Sequence, residues 1–373
     1  MWLTVCGSRD LRKNLPDLVR VIQDISPSHA LDSLGRMNIP VENPAPVAVI
    51  GAGVVGLTCA LELARAGHPV TVVADATAEE SVSGVAGGIW FPHQAEDSPR
   101  TDRMLGESFD AFAELARTAP ESGVDLRGGT WVGRDGAHDD AWVDTLRPLA
   151  AGDPSGRAAA TPVPADELPD GATSGLRTVL PIVDMPTYLP WLRGRCVEAG
   201  VALVAATVSS VEEAATLSGA RLVVLAAGAR SGALVGDDAG YPVRGQVLRL
   251  AQPAEPITEW FIDDDHPDGM IYVIPRRRDI VVGGVDGVGD TNEAWDEALG
   301  KAIRDRAVRA LPRLAGLPVL GRAVGLRPAR PSLRIEEVPG HEVRVFAAYG
   351  HGGSGVTLSW GTAAEIVRLV GAA

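Results

Sequence analysis

The sequence predicts an α/β fold: a doubly wound, Rossmann-type domain with a second, mostly antiparallel α+β domain inserted into it. Three observations predict it. A fully apolar run, Val47–Ile50, leads straight into a turn with glycines at 51, 53 and 56. A second glycine-rich turn, Tyr349-Gly350-His351-Gly352-Gly353-Ser354-Gly355-Val356-Thr357, opens another helical stretch about 300 residues later. Between them, residues 243–285 hold short apolar runs separated by turn residues, the signature of an antiparallel sheet rather than of βα alternation.

Taken in order, Val47–Ile50 reads as a buried parallel strand, because both of its faces are apolar. Leu57–Ala66 reads as a helix closed by Gly67, and Val70–Ala74 as the next strand, ending at Asp75. Residues 79–99 are loop-like, and Asp102–Ala119 has helical periodicity. Residues 120–180 are rich in Pro, Gly, Asp and Thr, with Thr130-Trp131-Val132 as a short strand candidate. Pro186–Ala199 reads as a helix with prolines in its first turn, and Val201–Ala206 and Leu222–Ala226 as further parallel strands. The antiparallel set is Val243–Leu250, Ile257–Ile262, Met270–Ile274 and Ile280–Val285. Asn292 is expected to cap a helix running to Leu311, Val343–Ala348 to return as a strand, and Ser354–Val370 to form the closing helix.

The bulk numbers narrow the functional classes. The 373 residues suit two domains, and a 46% hydrophobic content is enough to bury a sizeable core. A net charge of −14 disfavours sequence-independent binding of nucleic acid. No uninterrupted apolar run is long enough to span a bilayer, so no membrane partner is expected. Cys6, Cys59 and Cys196 lie far apart, which fits a reducing, cytoplasmic setting and excludes a cysteine-built metal site; the seven histidines also lack ligand spacing, so no metal is expected. Residues 1–45 differ from the rest. Met37 stands ten residues before the first strand, and residues 1–36 are expected to be dispensable.

The first glycine turn has the context that a phosphate-binding turn needs: strand before, helix after, and an acid, Asp75, about 20 residues on. Gly51 permits the tight turn, Gly53 lets backbone approach a pyrophosphate, and Gly56 lets helix and strand pack closely. Asp75 would accept hydrogen bonds from an adenosine ribose, and an acid there disfavours a 2′-phosphate. The second glycine turn can bring amides and a helix end to another part of the same ligand. A ligand that reaches both turns is better matched by a flavin dinucleotide than by a nicotinamide one. Gly87-Gly88-Ile89-Trp90 follows the second strand; its glycines let backbone pass over a planar ligand, and Trp90 either lines the site or belongs to the core. Ala226-Ala227-Gly228 ends a strand with small residues, where a cofactor can sit.

Farther along, Gly325-Leu326-Arg327-Pro328-Ala329-Arg330-Pro331 places a proline after each arginine. A stiffened backbone would hold the Arg327 fork ready for a carboxylate. Tyr272 stands in an apolar strand, either as a hydrogen-bond donor to that carboxylate or as a core residue. Arg276-Arg277-Arg278 reads as a solvated hairpin tip, and His351 as structural rather than as a base.

Together these segments resemble the D-amino-acid oxidase family of FAD enzymes, from about Val47 to Val370. The marks are VIGAGVVGL at 49–57, GGIW at 87–90, RGQ at 244–246, YVIP at 272–275, GLRPARP at 325–331 and YGHGGSGVTLSWG at 349–361. D-aspartate oxidases share most of them. The resemblance implies non-covalent FAD, bound by a discontinuous domain at 46–120, 200–240 and 318–373, with a substrate domain at 121–199 and 241–317. It implies that Gly51, Ala52, Gly53, Val54, Gly56 and Asp75 hold the ADP part, and that Ser81, Ser83, Gly87, Gly88 and Ile89 line the pyrophosphate and flavin. Val208 and Gly228 would add contacts, and Gly352, Gly353, Gly355, Val356 and Thr357 would lie against the flavin.

By the same resemblance, Arg327, beside the flavin, would fix the substrate carboxylate with Tyr272, and the Gly353 carbonyl would accept from the substrate amine. Trp90 is the further substrate-site candidate. The implied reaction is oxidation of neutral D-amino acids to 2-oxo acids, ammonia and hydrogen peroxide, with dioxygen as the second substrate; D-aspartate oxidase and glycine or sarcosine oxidase are the alternatives. A homodimer is compatible with this reading. Two departures stand out: Asp268 occupies the place of a family tyrosine in a lid loop, and Arg230 stands where relatives often carry an aromatic residue.

Overall fold

The computed structural model describes residues 44–93, 96–134 and 160–372. The expectation for residues 1–36 therefore lies outside the described residues.

Strand β1 (Val47–Ile50) is wholly buried and runs into helix α1 (Val54–Arg65), and β2 (Val70–Ala74) returns beside it. Helix α2 (Pro99–Thr118) starts a turn earlier than its periodicity suggests. The cause is local: Pro99 occupies the first turn and the Ser98 hydroxyl accepts from the Thr101 amide at 3.2 Å. The Pro-, Gly-, Asp- and Thr-rich stretch contributes β3 (Val124–Gly133), which contains and extends the candidate Thr130–Val132, and also β4 (Thr161–Pro162) and β5 (Ser174–Val183). β3 and β5 pair over ten residues each. Their glycines, threonines and charges masked the alternation because one face of the ladder is only partly buried.

Helix α3 (Met185–Glu198), β6 (Ala202–Ala205), helix α4 (Val211–Ser218), β7 (Leu222–Leu225) and a short helix α5 (Ser231–Leu234) complete the first crossovers. The antiparallel set follows as β8 (Tyr241–Ala251), β9 (Trp260–Asp263), β10 (Ile271–Pro275), β11 (Asp279–Gly283) and β12 (Gly287–Val288). Helix α6 (Glu297–Ala310) is capped by Asp296, whose Oδ1 accepts from the Leu299 amide at 2.9 Å. The expected cap, Asn292, instead bends the preceding loop by accepting from the Ala294 amide. Strands β13 (Val319–Val338) and β14 (Arg344–His351) and helix α7 (Ser359–Gly371) close the fold.

The strands form one continuous sheet in the order β4-β5-β3-β9-β10-β11-β8-β13-β14-β7-β1-β2-β6, with β12 attached to β8. The end β14-β7-β1-β2-β6 is parallel, as a doubly wound domain requires. The remainder is mostly antiparallel. Strand β13 joins the two halves. Its first half pairs with β8 and its second half with β14, with a register shift between Ala329 and Arg334. Pro331 falls inside that shift, where an absent N–H breaks no ladder bond.

Two cores back the halves. One packs β1, β7 and β14 against α4 through Val211, Val223 and Val345; the other packs β8, β10 and β11 against α6 through Leu250, Val273 and Ile303. Helix α3, which a boundary at 199 would give to the substrate half, is tied instead to the dinucleotide half. The Cys196 thiol donates to Leu57 O at 3.3 Å, and the Tyr188 hydroxyl accepts from Trp360 Nε1 at 3.0 Å. Among the described residues no helix is long and apolar enough to cross a membrane.

Candidate functional site

The carboxyl ends of the parallel strands and the inner face of the antiparallel ones open on one cleft of about 490 Å³. Asp75 and Arg230 line one end, and Tyr272, Arg327 and Gly353 the other.

The first glycine turn shapes one wall. Gly51 has φ 108, and a Cβ there would collide with Ala226 O, so neither the conformation nor the space admits another residue. Gly53, the N-cap of α1, has no side chain to cap the helix, so the first-turn amides beyond that of Val54 remain for a ligand. The Val54 amide donates to Ser83 Oγ at 3.0 Å, and Ser81 Oγ accepts from the Ser83 amide at 3.2 Å. The serines therefore brace the loop that crosses this turn. Ala52, Gly53, Val54, Ser81, Ser83, Gly87, Gly88, Ile89, Gly228, Gly352, Gly353, Gly355 and Val356 all line the cleft. A backbone-walled channel of this kind, lined by a glycine turn at a helix N-terminus and by the acid Asp75, fits an extended dinucleotide such as FAD.

At its end of the cleft, Asp75 receives Arg230 in a fork, Nη1 to Oδ2 at 2.6 Å and Nη2 to Oδ1 at 2.5 Å, with Thr207 Oγ1 at 3.2 Å. The hydrogen bond from Arg230 holds the Asp75 carboxyl below its ordinary range. Arg230, a departure whose role the sequence left open, is thus the partner of Asp75.

Four candidates lie outside the lining. Trp90 is 0% exposed and meets Phe109 edge-on, with ring centroids 5.1 Å apart; it is a core residue, and Phe91 and His93 face the cleft in its place. Gly56 seats α1 against Gly51. Val208 packs on the core behind β1 and β7. Thr357 ties the second glycine turn to residue 91: its Oγ1 donates to Phe91 O at 2.8 Å and accepts from the Phe91 amide at 3.1 Å. Helix α7 begins at Ser359, so the turn at 352–357 precedes the helix rather than forming its first turn.

At the opposite end, Arg327 extends from β13 where it pairs with Val243 of β8. Its guanidinium lies flat on Gly245, where a Cβ would stand 2.8 Å from Nη2 and 3.0 Å from Cζ. Nη1 donates to Val285 O at 3.1 Å and to the Asp286 carboxylate. The other oxygen of Asp286 lies 2.9 Å from His93 Nε2. Burial pushes the Asp286 carboxyl up, but the His93 hydrogen bond and the Arg327 charge outweigh it and hold the group below the ordinary carboxylate range. Gly353 stands beside both: a Cβ there would be 3.0 Å from His93 Cδ2 and 3.8 Å from Arg327 Cδ. Tyr272 lies across Gly283 and Gly284, and burial pushes its phenol up against the pull of Arg327, so the hydroxyl stays protonated. The arrangement can hold a carboxylate at Arg327 and present a hydroxyl and a backbone carbonyl around it.

Arg330, the second arginine of the same motif, does different work. It donates through Nε to Asp237 Oδ2 at 2.9 Å, which also receives Arg334 Nη1 at 3.0 Å and the Tyr349 hydroxyl at 2.7 Å. This knot fixes the loop after α5 to the register shift of β13. His351 is held neutral by burial, its pKa lowered to about 4, and lies 2.9 Å from Thr362 Oγ1, in keeping with a structural role.

The reading of residues 276–278 as a solvated tip needs correction. Arg276 is 2% exposed, forks onto Asp279 at 2.7 Å twice and has Asp184 at 3.6 Å; only Arg277 and Arg278 are exposed, and Arg277 is paired with Asp125. Arg244 is buried and donates to Asn292 O, Ala294 O and Gln246 Oε1, and Arg249 faces Asp279 at 3.5 Å. Asp268 pairs with Arg309 on the surface.

Sequence reasoning missed His93 and Asp286. The available signals were the GGIW motif running on into Pro92-His93, and the glycine pair directly before Val285-Asp286. Neither shows that two segments 193 residues apart converge on one arginine.

Known proteins resemble this chain over most of its length. A family model described as FAD dependent oxidoreductase (DAO) matches residues 46–369. A D-amino-acid oxidase of Rubrobacter xylanophilus is 39% identical over 334 residues, covering 88% of this chain and 97% of that one. A D-amino-acid oxidase of Streptomyces coelicolor is 35% identical over 336 residues, covering 88% and 97%, and a D-aspartate oxidase of Homo sapiens is 30% identical over 338 residues, covering 87% and 94%. Among solved structures, glycine oxidase from Geobacillus kaustophilus superposes with a TM-score of 0.71 at 20% identity, covering 89% of this chain and 95% of that one, a likeness of fold.

Proposed function

Because the chain belongs to the DAO family of FAD-dependent oxidoreductases, we propose that it is a D-amino-acid oxidase, converting neutral D-amino acids to 2-oxo acids, ammonia and hydrogen peroxide with dioxygen as acceptor. The observation that carries this reading is Arg327, mounted on Gly245 and pinned through Nη1 beside Gly353 and Tyr272 in the cleft that fits FAD.

FAD, when bound, supplies the two-electron acceptor for the hydrogen on the substrate Cα. Gly51, Gly53 and Val54 would receive its pyrophosphate, Asp75 its ribose, and Gly87–Ile89 with Gly352–Val356 the ring. Arg327 takes the substrate carboxylate through the Nε/Nη2 edge that Val285 and Asp286 leave to it, and the protonated Tyr272 hydroxyl donates to the same carboxylate. The Gly353 carbonyl accepts from the amine. With those groups held, the Cα hydrogen has one direction left to it, and positioning supplies much of the rate enhancement. No side-chain base is needed once the amine is neutral. Cys59 and Cys196 are buried free thiols, which supports the proposed cytoplasmic setting.

A D-aspartate oxidase needs a second cation for the side-chain carboxylate. Of the arginines the sequence offers for that task, 244, 249, 276 and 277 are committed to other partners and the exposed Arg278 does not line the cleft, so the neutral-substrate reading is favoured. A peroxide assay over D- and L-amino acids, glycine, sarcosine and D-aspartate tests the proposal. Turnover of neutral D-forms is the expected result, and turnover of L-forms alone would overturn it.

A further inference from the structure

Taking D-amino-acid oxidation as given, we infer that Asp286 is the specificity-determining residue of the substrate pocket: it fixes an anion on the carboxylate clamp and thereby disfavours substrates that carry a second negative charge.

Among the described residues that line the cleft, the cations are Arg230 and Arg327. Arg230 is occupied with Asp75 at the far end. Arg327 is in contact with Asp286, whose second oxygen is held by His93, so the acid is anchored from both sides. Asp264 also lines this end and accepts from Trp131 Nε1 at 3.1 Å. The guanidinium at this end therefore already carries one carboxylate, Asp286, and a second, Asp264, lines the same cleft. A substrate's α-carboxylate still gains a bidentate contact, because Asp286 engages Nη1 and leaves the Nε/Nη2 edge. A second carboxylate on the substrate finds no further cation among the described lining residues and adds negative charge to a cleft that already holds Asp286 and Asp264. Between unit charges about 6 Å apart in a partly buried site, repulsion weakens binding on the order of 10–100-fold.

Asp286→Asn removes the charge and keeps the shape, since an amide oxygen still accepts from Nη1. Two ratios read the effect in the FAD-loaded enzyme: kcat/KM for D-aspartate over D-alanine, and the calorimetric affinity of succinate over propionate. Both are expected to rise about tenfold or more in Asp286→Asn. Asp286→Ala should raise them similarly while weakening propionate itself, because it also removes a support of Arg327. Ratios unmoved in both flavin-loaded variants would overturn the inference. If neither variant folds, the wild-type ratio decides: succinate binding more tightly than propionate, with both fully ionised, would equally sink it. A wild-type enzyme that oxidises no D-amino acid would defeat the functional reading instead, and the calorimetric ratio would still test the role of Asp286.

Discussion

Replacing Gly245 by alanine should damage substrate binding without damaging the fold. The added Cβ would stand 2.8 Å from Arg327 Nη2, 3.0 Å from Cζ and 3.2 Å from Nε, about 0.6 Å short of the contact distance at which ordinary packing begins. The backbone conformation is not the obstacle, because Gly245 lies within β8 without a positive φ. The colliding atoms are the far end of a side chain, so the guanidinium moves and the sheet does not. It cannot move freely, because Nη1 is held by Val285 O and Asp286. The shift therefore tilts the Nε/Nη2 edge away from the carboxylate. A displacement of about 1 Å at a positioning group costs on the order of 100-fold, and about half that displacement should lower kcat/KM for D-alanine by about 10–100-fold. In free energy that is about 1.4–2.7 kcal/mol of lost transition-state stabilisation. Most of the loss should fall on KM, since the clamp serves ground and transition states alike. Stability should change by no more than about 1 kcal/mol, because alanine also reduces the freedom of the unfolded chain. The assay pairs steady-state kinetics with thermal unfolding and flavin content. Gly106→Ala is the control: a Cβ there meets nothing within 4 Å, so it should leave kinetics alone. An unchanged kcat/KM in a folded, flavin-loaded Gly245→Ala enzyme would refute the placement of the clamp.

Arg327→Ala should raise KM for neutral D-amino acids steeply, since losing a charged bidentate contact costs about 2–4 kcal/mol; a KM within threefold of wild type would remove Arg327 from the site. Asp237 predicts a pH effect on stability. Hydrogen bonds from Tyr349, Arg330 and Arg334 hold its folded carboxyl far below the unfolded value of about 3.9, so its contribution is present above that value and lost as pH falls through the folded pKa. Asp237→Asn should therefore lower the melting temperature at pH 7 and narrow the gap to wild type at acid pH; a gap constant with pH would contradict it.

The parallel half was legible because its signals are local. Four apolar residues buried on both faces, a glycine turn and an acid at the next strand end are read from some thirty consecutive residues. Strands β3, β5 and β13 were not, for different reasons. Buried on one face, β3 and β5 carry polar residues wherever the pleat meets solvent. β13 contains two prolines that argue against a strand until its change of partner is seen. At the site, glycines and arginines drew attention by type and spacing. Trp90 and Arg276 failed because burial decides their roles, and burial is a property of the neighbours. The Asp286–His93 pair could not be read at all, because neither residue lies in a motif that fixes which way it faces.

The topology also bears on why such a site can discriminate hands. Arg327 and Gly353 belong to adjacent segments of one ladder: Ala329 of β13 pairs with His351 at the end of β14, two residues from each. Gly353 follows in the turn at 352–354, so the proposed carboxylate clamp and amine acceptor are tied together through this strand pair and the turn after it. β13 is at the same time bonded to β8, which carries the Gly245 floor under the guanidinium. If Arg327 holds the carboxylate and the Gly353 carbonyl the amine, as proposed, two of the substrate's three attachment points hang on this sheet and its adjoining turn, and the third direction is where the glycine turns that line the cleft face. An amino acid of the opposite hand can keep the carboxylate and amine contacts only by exchanging its hydrogen and side chain, which turns the hydrogen away from that wall. Under that proposal, loosening the pairing of Ala329 with His351 is expected to relax selectivity, which couples enantiomeric preference to the integrity of β13.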